Sequence, residues 1–235
     1  MRHVIELTAG AQRFRNDHGG ADPAVAAALA AFAGGGGTEQ AALTALAASR
    51  LLVPLVALAA DDLAEPAAGQ KSSEMATLAI VGRDGRRALP AFTCVDALLR
   101  WRPDARPVPV PASAVWQSAV AESSAVIIDI AGPVSLAVDG SRLAALADGG
   151  PVPGMHEDPD VWHLAATTAG EIMPGIRVRL SPPRGGLDFT LELAPPEGDT
   201  GLVPEDAAGR IGEAVTARLA SRARAGIAVV RRPAS

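Results

Sequence analysis

The apolar segments of this chain are short, because 24 glycines and 19 prolines interrupt its 235 residues. The longest apolar segment, Leu51 to Ala60, has ten residues and contains Pro54. A membrane-spanning helix needs about 20 apolar residues, so we expect no membrane partner. Hydrophobic residues still make up 49% of the chain, which is enough to build packed cores. The sequence therefore predicts an α+β fold of short helices and strands joined by turns.

The charged residues and the cysteine content bear on compartment and partners. Glu6 lies among the first residues, which form no long apolar stretch, so the sequence predicts no secretory leader and a cytoplasmic location. The one cysteine, Cys94, cannot form an internal disulfide. The net charge is −5, whereas nucleic-acid-binding domains are typically basic. We therefore expect no nucleic-acid partner.

A proline- and glycine-rich segment divides the chain into two patterns. The sequence predicts an N-terminal segment at 1–22, a first domain at 23–148, a linker at 149–160 and a second domain at 161–235. We expect a mixed sheet flanked by short helices in the first domain. We expect a small β-β-α-β unit in the second, with its helix covering one face of the sheet.

Local signals place several elements of the first domain. Asp22 before Pro23, and Thr38, are typical residues for helix starts. The Asp84-Gly85 pair predicts a hairpin between strands at 75–81 and 88–92. Thr93, followed three residues later by Asp96, resembles a capping box and predicts the start of another helix. Pro54 favours an edge position for the strand at 51–56, because proline cannot donate to a sheet ladder.

Alternating residues predict two paired strands in the second domain. Apolar residues alternate with Arg177 and Arg179 in the first strand, and with Asp188 and Glu192 in the second. Pairing the two strands places all the apolar side chains on one face. The two arginines then lie beside the two carboxylates on the other face, as opposite-charge cross-strand pairs.

The segment from Leu51 to Leu146 contains several short motifs: Leu52-Val53-Pro54-Leu55, Lys71-Ser72-Ser73-Glu74-Met75-Ala76, Asp84-Gly85-Arg86-Arg87-Ala88-Leu89-Pro90-Ala91-Phe92-Thr93, Ala97-Leu98 with Trp101, and Ile127-Ile128-Asp129-Ile130-Ala131-Gly132-Pro133. On these residues the segment resembles the N-terminal domain of the SseB family, the enhanced serine sensitivity proteins. The C-terminal β-β-α-β pattern is similar to the family's smaller second domain. The resemblance implies the fold of both domains and implies no particular reaction. The family commonly has serine after Phe-Thr, where this chain has Cys94.

Candidate binding residues lie in one polar loop and at one helix start. The loop Lys71-Ser72-Ser73-Glu74 contains the chain's one lysine and comes just before a predicted strand, and Thr93 begins the following helix. Loops beside strands often carry function. His156 and His163 flank an acidic run, but their spacing fits neither a metalloprotease helix nor a zinc finger, so we expect no metal and no cofactor.

These observations favour a non-catalytic, cytoplasmic binding or regulatory protein whose partner is another protein or a second copy of itself. One alternative is a small hydrolase or transferase that uses Cys94 or the Ser72 and Ser73 pair. Another is a structural subunit that self-associates through the sheet edge at Leu51–Val56. Asp129, inside an otherwise apolar strand, needs a hydrogen-bonding partner if it is buried.

Overall fold

The computed structural model describes residue 14 and residues 17–57, 75–77, 79–82 and 85–233. Its helices are α1 (Pro23–Ala33), α2 (Glu39–Ala47), α3 (Val95–Trp101), α4 (Ala112–Ala121), α5 (Gly140–Ala147), α6 (Pro159–Ile172) and α7 (Glu205–Arg218). Its strands are β1 (Arg50–Ala57), β2 (Met75–Thr77), β3 (Ile80–Val81), β4 (Arg87–Ala91), β5 (Arg106–Pro111), β6 (Ala125–Ile128), β7 (Leu136–Val138), β8 (Arg177–Ser181), β9 (Phe189–Ala194) and β10 (Ile227–Arg231). These elements confirm the α+β fold class.

The chain forms two compact units. The described residues up to Ala26 belong with Leu46–Gly150, and Ala27–Ala45 belong with the residues from Pro151 onward. The sequence predicts that residues 27–45 belong to the first domain, and in the structure they group with the C-terminal part of the chain. One contact between the two joins Glu39 of α2 to Arg222, and a separation this long leaves no local signal in the sequence.

Two sheets make up the first unit. In one, β1 lies between β2 and β5 and is antiparallel to both. The other has the order β3-β4-β6-β7, in which β4 and β6 are parallel. The backbones of Leu52 and Phe92 exchange two hydrogen bonds, of 2.8 and 2.9 Å, and so link β1 to the end of β4. Leu52, Phe92 and Leu98 pack in a shared apolar cluster at this junction.

The edge position expected for Pro54 is wrong, because β1 is the central strand of its sheet. The N–H groups of a strand point alternately to its two sides, so Pro54 shares a side with Leu52 and Val56. On that side Leu52 bonds Phe92, whereas Val56 pairs with β2. The backbone nitrogen of Pro54, which carries no hydrogen, therefore lies between these two partners of β1. The hypothesis of self-association through Leu51–Val56 fails as well, since β2 and β5 flank this strand.

The predicted hairpin is confirmed at its turn and is wrong at its far end. β3 pairs antiparallel with β4, and Gly85 adopts a φ of +79°, in the left-handed region that glycine favours. Asp84 lies outside the described residues. The predicted strand at 75–81 is two strands, since Met75–Thr77 pairs with β1 in the other sheet.

One three-stranded sheet, with the order β10-β9-β8, forms the centre of the second unit. β8 and β9 are antiparallel, and β9 and β10 are parallel. The apolar side chains of β9 face a core to which α6 and α7 contribute; its fully buried members include Phe189, Leu191, Leu193 and Ile211. Alternation then turns the intervening side chains to the opposite face, as the sequence predicted.

Candidate functional site

Four of the five binding residues expected from the sequence, Lys71, Ser72, Ser73 and Glu74, lie outside the described residues. The fifth, Thr93, is 6% exposed and lies two residues after the end of β4. Its N–H donates to Oδ1 of Asp129 at 2.9 Å, and its hydroxyl donates to Oδ2 of Asp129 at 2.6 Å. The N–H and the hydroxyl of Thr93 thus both donate to Asp129.

The predicted capping box at Thr93 is wrong for the same reason. Cys94 is the N-cap residue of α3 and makes no side-chain cap bond, while the hydroxyl of Thr93 bonds Asp129 instead. Asp129 reaches this position because its φ is +47° and because its own N–H donates to the carbonyl oxygen of Ala91. Burial raises the pKa of Asp129, although both bonds from Thr93 oppose that rise.

Arg50 fixes the other side of Thr93. Its guanidinium pairs with the carboxylate of Asp17 and donates at 2.5 Å to the carbonyl oxygens of Thr93 and Gly20. The hydrogen bond from Arg50 holds the pKa of Asp17 below its usual value. The segment at Asp17–Gly20 is thereby tied to the start of α3. The Thr93 region is a set of internal bonds that orders the first unit.

Cys94, the proposed nucleophile, is half-buried against an apolar cluster. Its side chain packs with the group that contains Leu52, Phe92 and Leu98. This is the packing expected of a small apolar residue, and free cysteines are often used in this way.

The acidic run at 156–160 forms a helix start. Asp158 is the N-cap of α6 and accepts the N–H of Asp160 at 2.9 Å, while Pro159 occupies the first turn. Nε2 of His156 lies 3.8 Å from a carboxylate oxygen of Glu157. Within the described ranges, no group of three histidine, cysteine or carboxylate side chains is placed to hold a metal ion.

A group of charged side chains lies on the polar face of the second sheet. Arg177 and Arg179 of β8, and Arg232 after β10, lie there with Glu192 of β9; we call this surface the arginine face. Arg179 pairs directly across from Glu192, and Arg177 across from Ala194. A cavity of about 660 Å³ opens here, lined by Arg177, Val178, Arg179, Ser181, Glu192, Ala194, Arg232 and Pro233. Its size falls within the roughly 300–1,000 Å³ typical of ligand sites.

Each charged side chain of the arginine face has a different environment. An Nη of Arg232 donates to Glu192 at 2.8 Å, and this bond holds the pKa of Glu192 below its usual value. Nε of Arg177 donates to the carbonyl oxygen of Pro195 at 3.0 Å, whereas its Nη2 is buried without a hydrogen-bond partner in the described part of the chain. Arg179 is exposed. Three arginines and one glutamate leave the face with a net positive charge.

The sequence anticipated part of this surface. The pairing of Arg179 with Glu192 confirms one of the predicted cross-strand charge pairs. The part predicted for Asp188 is wrong, because its carboxylate accepts the N–H groups of Ala225 and Gly226, at 2.8 and 3.0 Å. Burial raises the pKa of Asp188. Sequence reasoning missed Arg232, which follows the predicted end of the last strand; continuing its alternation by two residues would have found it.

A smaller cavity of about 210 Å³ lies in the first unit, beside the start of α3. Its lining is Asp17, His18, Gly19, Leu52, Val95, Pro107 and Pro109. The carboxylate of Asp17 is already bonded to Arg50, and most of the remaining lining is apolar or backbone. The arginine face is therefore the stronger candidate for a functional site.

Comparison with known proteins identifies the family of the chain. The family model for the SseB protein N-terminal domain matches residues 25–145, which is more than half of the chain. No curated protein and no solved structure matches the chain. Among the described residues, no helix is long and apolar enough to span a bilayer. The resemblance seen in the sequence is thus confirmed, and the chain belongs to the SseB family.

Proposed function

We propose that this SseB-family protein is a non-catalytic, cytoplasmic binding protein that contacts a protein partner through its arginine face. The observation that carries the proposal is the cavity of about 660 Å³ on a strand-built surface with a net positive charge. Arginine is enriched at protein interfaces, where its planar group bonds carboxylates in pairs. Because the arginines are held on paired strands, their spacing is largely set before a partner arrives.

The contacts of the first unit support binding ahead of catalysis. Thr93 and Asp129 bond one another, and Cys94 packs against apolar neighbours, so these side chains already have structural roles. A hydrolase or transferase that uses Cys94 has correspondingly little support. That the loop 71–74 is a second contact region stays a prediction. The experiment below tests it as well.

Capture of partners from lysate by the immobilised full chain tests the proposal. Four forms are compared: wild type, Arg177→Gln with Arg179→Gln, Lys71→Ala with Glu74→Ala, and Arg184→Gln with Arg210→Gln. The last pair removes the same charge from the same unit but away from the cavity, because Arg184 lies in the loop between β8 and β9 and Arg210 lies on α7. Circular dichroism confirms that each form is folded.

We expect the Arg177 and Arg179 substitutions to remove specific proteins that the charge-matched control still captures. Identical protein sets in all four forms would overturn the proposal. Loss confined to the Lys71 and Glu74 variant would overturn it too, and would assign binding to the loop.

A further inference from the structure

The arginine face already holds one carboxylate. Glu192 is 8% exposed, lies directly across from Arg179 and accepts a hydrogen bond from Arg232 at 2.8 Å. Charge-assisted bonds of this kind are stronger than those between neutral groups. One guanidinium of the face, that of Arg232, thus already bonds a side-chain carboxylate, the group that an acidic residue of a partner would also offer.

The remaining guanidinium groups of the face are less well satisfied. Nη2 of Arg177 is buried and has no hydrogen-bond partner among the described residues, and a buried donor left unpaired costs free energy. The residue directly across from Arg177 is Ala194, whose side chain carries no group that could bond the guanidinium. Arg179 is exposed, and Glu192 is bonded to Arg232. A second carboxylate entering the cavity would meet Arg177 and Arg179.

We propose that the cavity of the arginine face binds an acidic segment of a protein partner, whose carboxylates pair with Arg177 and Arg179 while Glu192 competes with them for Arg232. This inference rests on the proposed function and names the chemistry of its partner. Glu192 would lower the affinity of the site and restrict it to segments that carry several acidic residues. Removal of its charge would therefore strengthen binding.

The lining favours an acidic protein segment over a nucleic acid. Among the described residues, no aromatic side chain lines the cavity, so bases would find no stacking surface. The cavity volume of about 660 Å³ also exceeds what one small anion would fill, and it suits several side chains in a row.

Fluorescence anisotropy with a labelled hexaglutamate peptide tests the inference on the full chain. The forms are wild type, Glu192→Gln, Arg179→Gln and the control Arg184→Gln, each at low and at physiological ionic strength. Glutamine at 192 keeps an oxygen for Arg232, and Arg179 is exposed, so both substitutions suit the fold; thermal unfolding checks each one. Unlabelled phosphate and a short single-stranded DNA serve as competitors.

We expect Glu192→Gln to tighten binding of the peptide and Arg179→Gln to weaken it, each by about three- to tenfold, with Arg184→Gln close to wild type. The salt dependence should be steeper for Glu192→Gln than for Arg179→Gln. An unchanged affinity of Glu192→Gln for the peptide would overturn the proposed competition between Glu192 and the peptide for Arg232.

The remaining outcomes separate this inference from the proposed function. Absence of peptide binding, while lysate partners still depend on Arg177 and Arg179, would overturn the acidic-segment assignment and leave the proposed function standing. Displacement of the peptide by DNA or phosphate at lower concentration than by free peptide would overturn the assignment to a protein segment. If the substitutions on the arginine face leave the set of proteins captured from lysate unchanged, both proposals are overturned.

Discussion

Two aspartates in this protein accept hydrogen bonds from backbone amides through buried carboxylates. Asp129 accepts the N–H of Thr93, and Asp188 accepts those of Ala225 and Gly226. Burial raises the pKa of both groups. Each aspartate joins chain segments that are distant in sequence, so its contribution is to stability. Buried carboxyls with raised pKa values also occur at active sites, but these hydrogen bonds account for both groups here.

Substitution of Asp129 should separate its acceptor role from its charge. Asp129→Ala should lower the free energy of unfolding by about 1–3 kcal/mol, because the N–H and hydroxyl of buried Thr93 lose their acceptor. Alanine is also strained at a φ of +47°. Asp129→Asn keeps an acceptor and tolerates this backbone conformation, so it should cost less. Urea denaturation measures both values, and equal losses would contradict the assigned hydrogen bonds.

The raised pKa of Asp129 also fixes the sign of a pH dependence. Since the folded state holds the proton to higher pH than the unfolded state does, the contribution of this group to stability falls as pH rises through the raised pKa. Relative to Asp129→Asn, wild type should therefore lose stability as the pH rises above about 4, the ordinary pKa of an aspartate. Urea denaturation across this range measures the difference, and a gain of wild type over the variant would contradict it.

Strand β1 shows how a helix- and sheet-breaking residue can occupy the centre of a sheet. Pro54 is buried between a hydrogen-bonded junction with Phe92 and the pairing with β2. The neighbouring strand β5 carries proline at 107, 109 and 111. By the same alternation, the backbone nitrogens of all three prolines face away from β1. A strand edge without donors pairs poorly with other chains.

Pro54→Val should destabilise the protein although valine is the better strand former. The substitution places a new buried N–H where β1 changes partners, and an unpaired buried donor costs about 1–3 kcal/mol. Urea denaturation of wild type and variant measures the change. A variant more stable than wild type would show that this side of β1 offers an acceptor, contrary to the geometry described above.

Elements specified by neighbouring residues were predictable from the sequence. Asp22 accepts the N–H of Ala24 at 2.8 Å, and Thr38 accepts that of Ala41 at 3.1 Å, so both predicted helix starts are confirmed. The turn at Gly85 is of the same kind. Pro54 and Thr93 misled the prediction because their partners come from other parts of the chain, and such tertiary contacts override a local signal.

The candidate site was partly predictable for the same reason. Period-two alternation is local, and it placed Arg179 and Glu192 on one face. Alternation along β10 would assign Arg232 to the polar face, but it does not show the parallel pairing of β10 with β9 that brings Arg232 to Glu192. The carboxylate of Asp188 does not lie on the predicted face, because it accepts the N–H groups of Ala225 and Gly226, which are distant in sequence.

The division of the whole chain into two units rests on one buried ion cluster as well as on apolar packing. Arg222 bonds both Glu39 at the start of α2 and Asp158 at the start of α6; the two carboxylate side chains are 2% and 0% exposed. This cluster ties residues 27–45 to the C-terminal part of the chain. Nearby, the guanidinium of Arg224 lies 5.7 Å from the ring centre of Phe32 in α1.

Arg222→Met should strongly destabilise the second unit. Both buried carboxylates lose the guanidinium that they share, and removing one member of a buried ion cluster costs about 3–5 kcal/mol. Arg222→Lys should recover part of the loss, because an ammonium group cannot bond both carboxylates in the geometry of a guanidinium. Thermal and urea unfolding measure the series. Equal stability of Arg222→Met and wild type would contradict the cluster's role.

Hydrogen exchange should show which residues depend on this cluster. In Arg222→Met, amides at 27–45 and in α6 and α7 should exchange faster, with smaller changes in β4 and β6 of the first unit. Mass spectrometry of wild type and variant gives the comparison. If residues 27–45 behave like β4 and β6, the division between the units is drawn in the wrong place.

The central claim is that the arginine face is the surface through which this SseB-family protein binds. The most direct measurement follows the NMR resonances of the full chain while the glutamate peptide is added. We predict the largest shifts at Arg177, Arg179, Ala194 and Arg232, which surround the cavity. Largest shifts within residues 85–150, with β8, β9 and β10 unchanged, would contradict the claim.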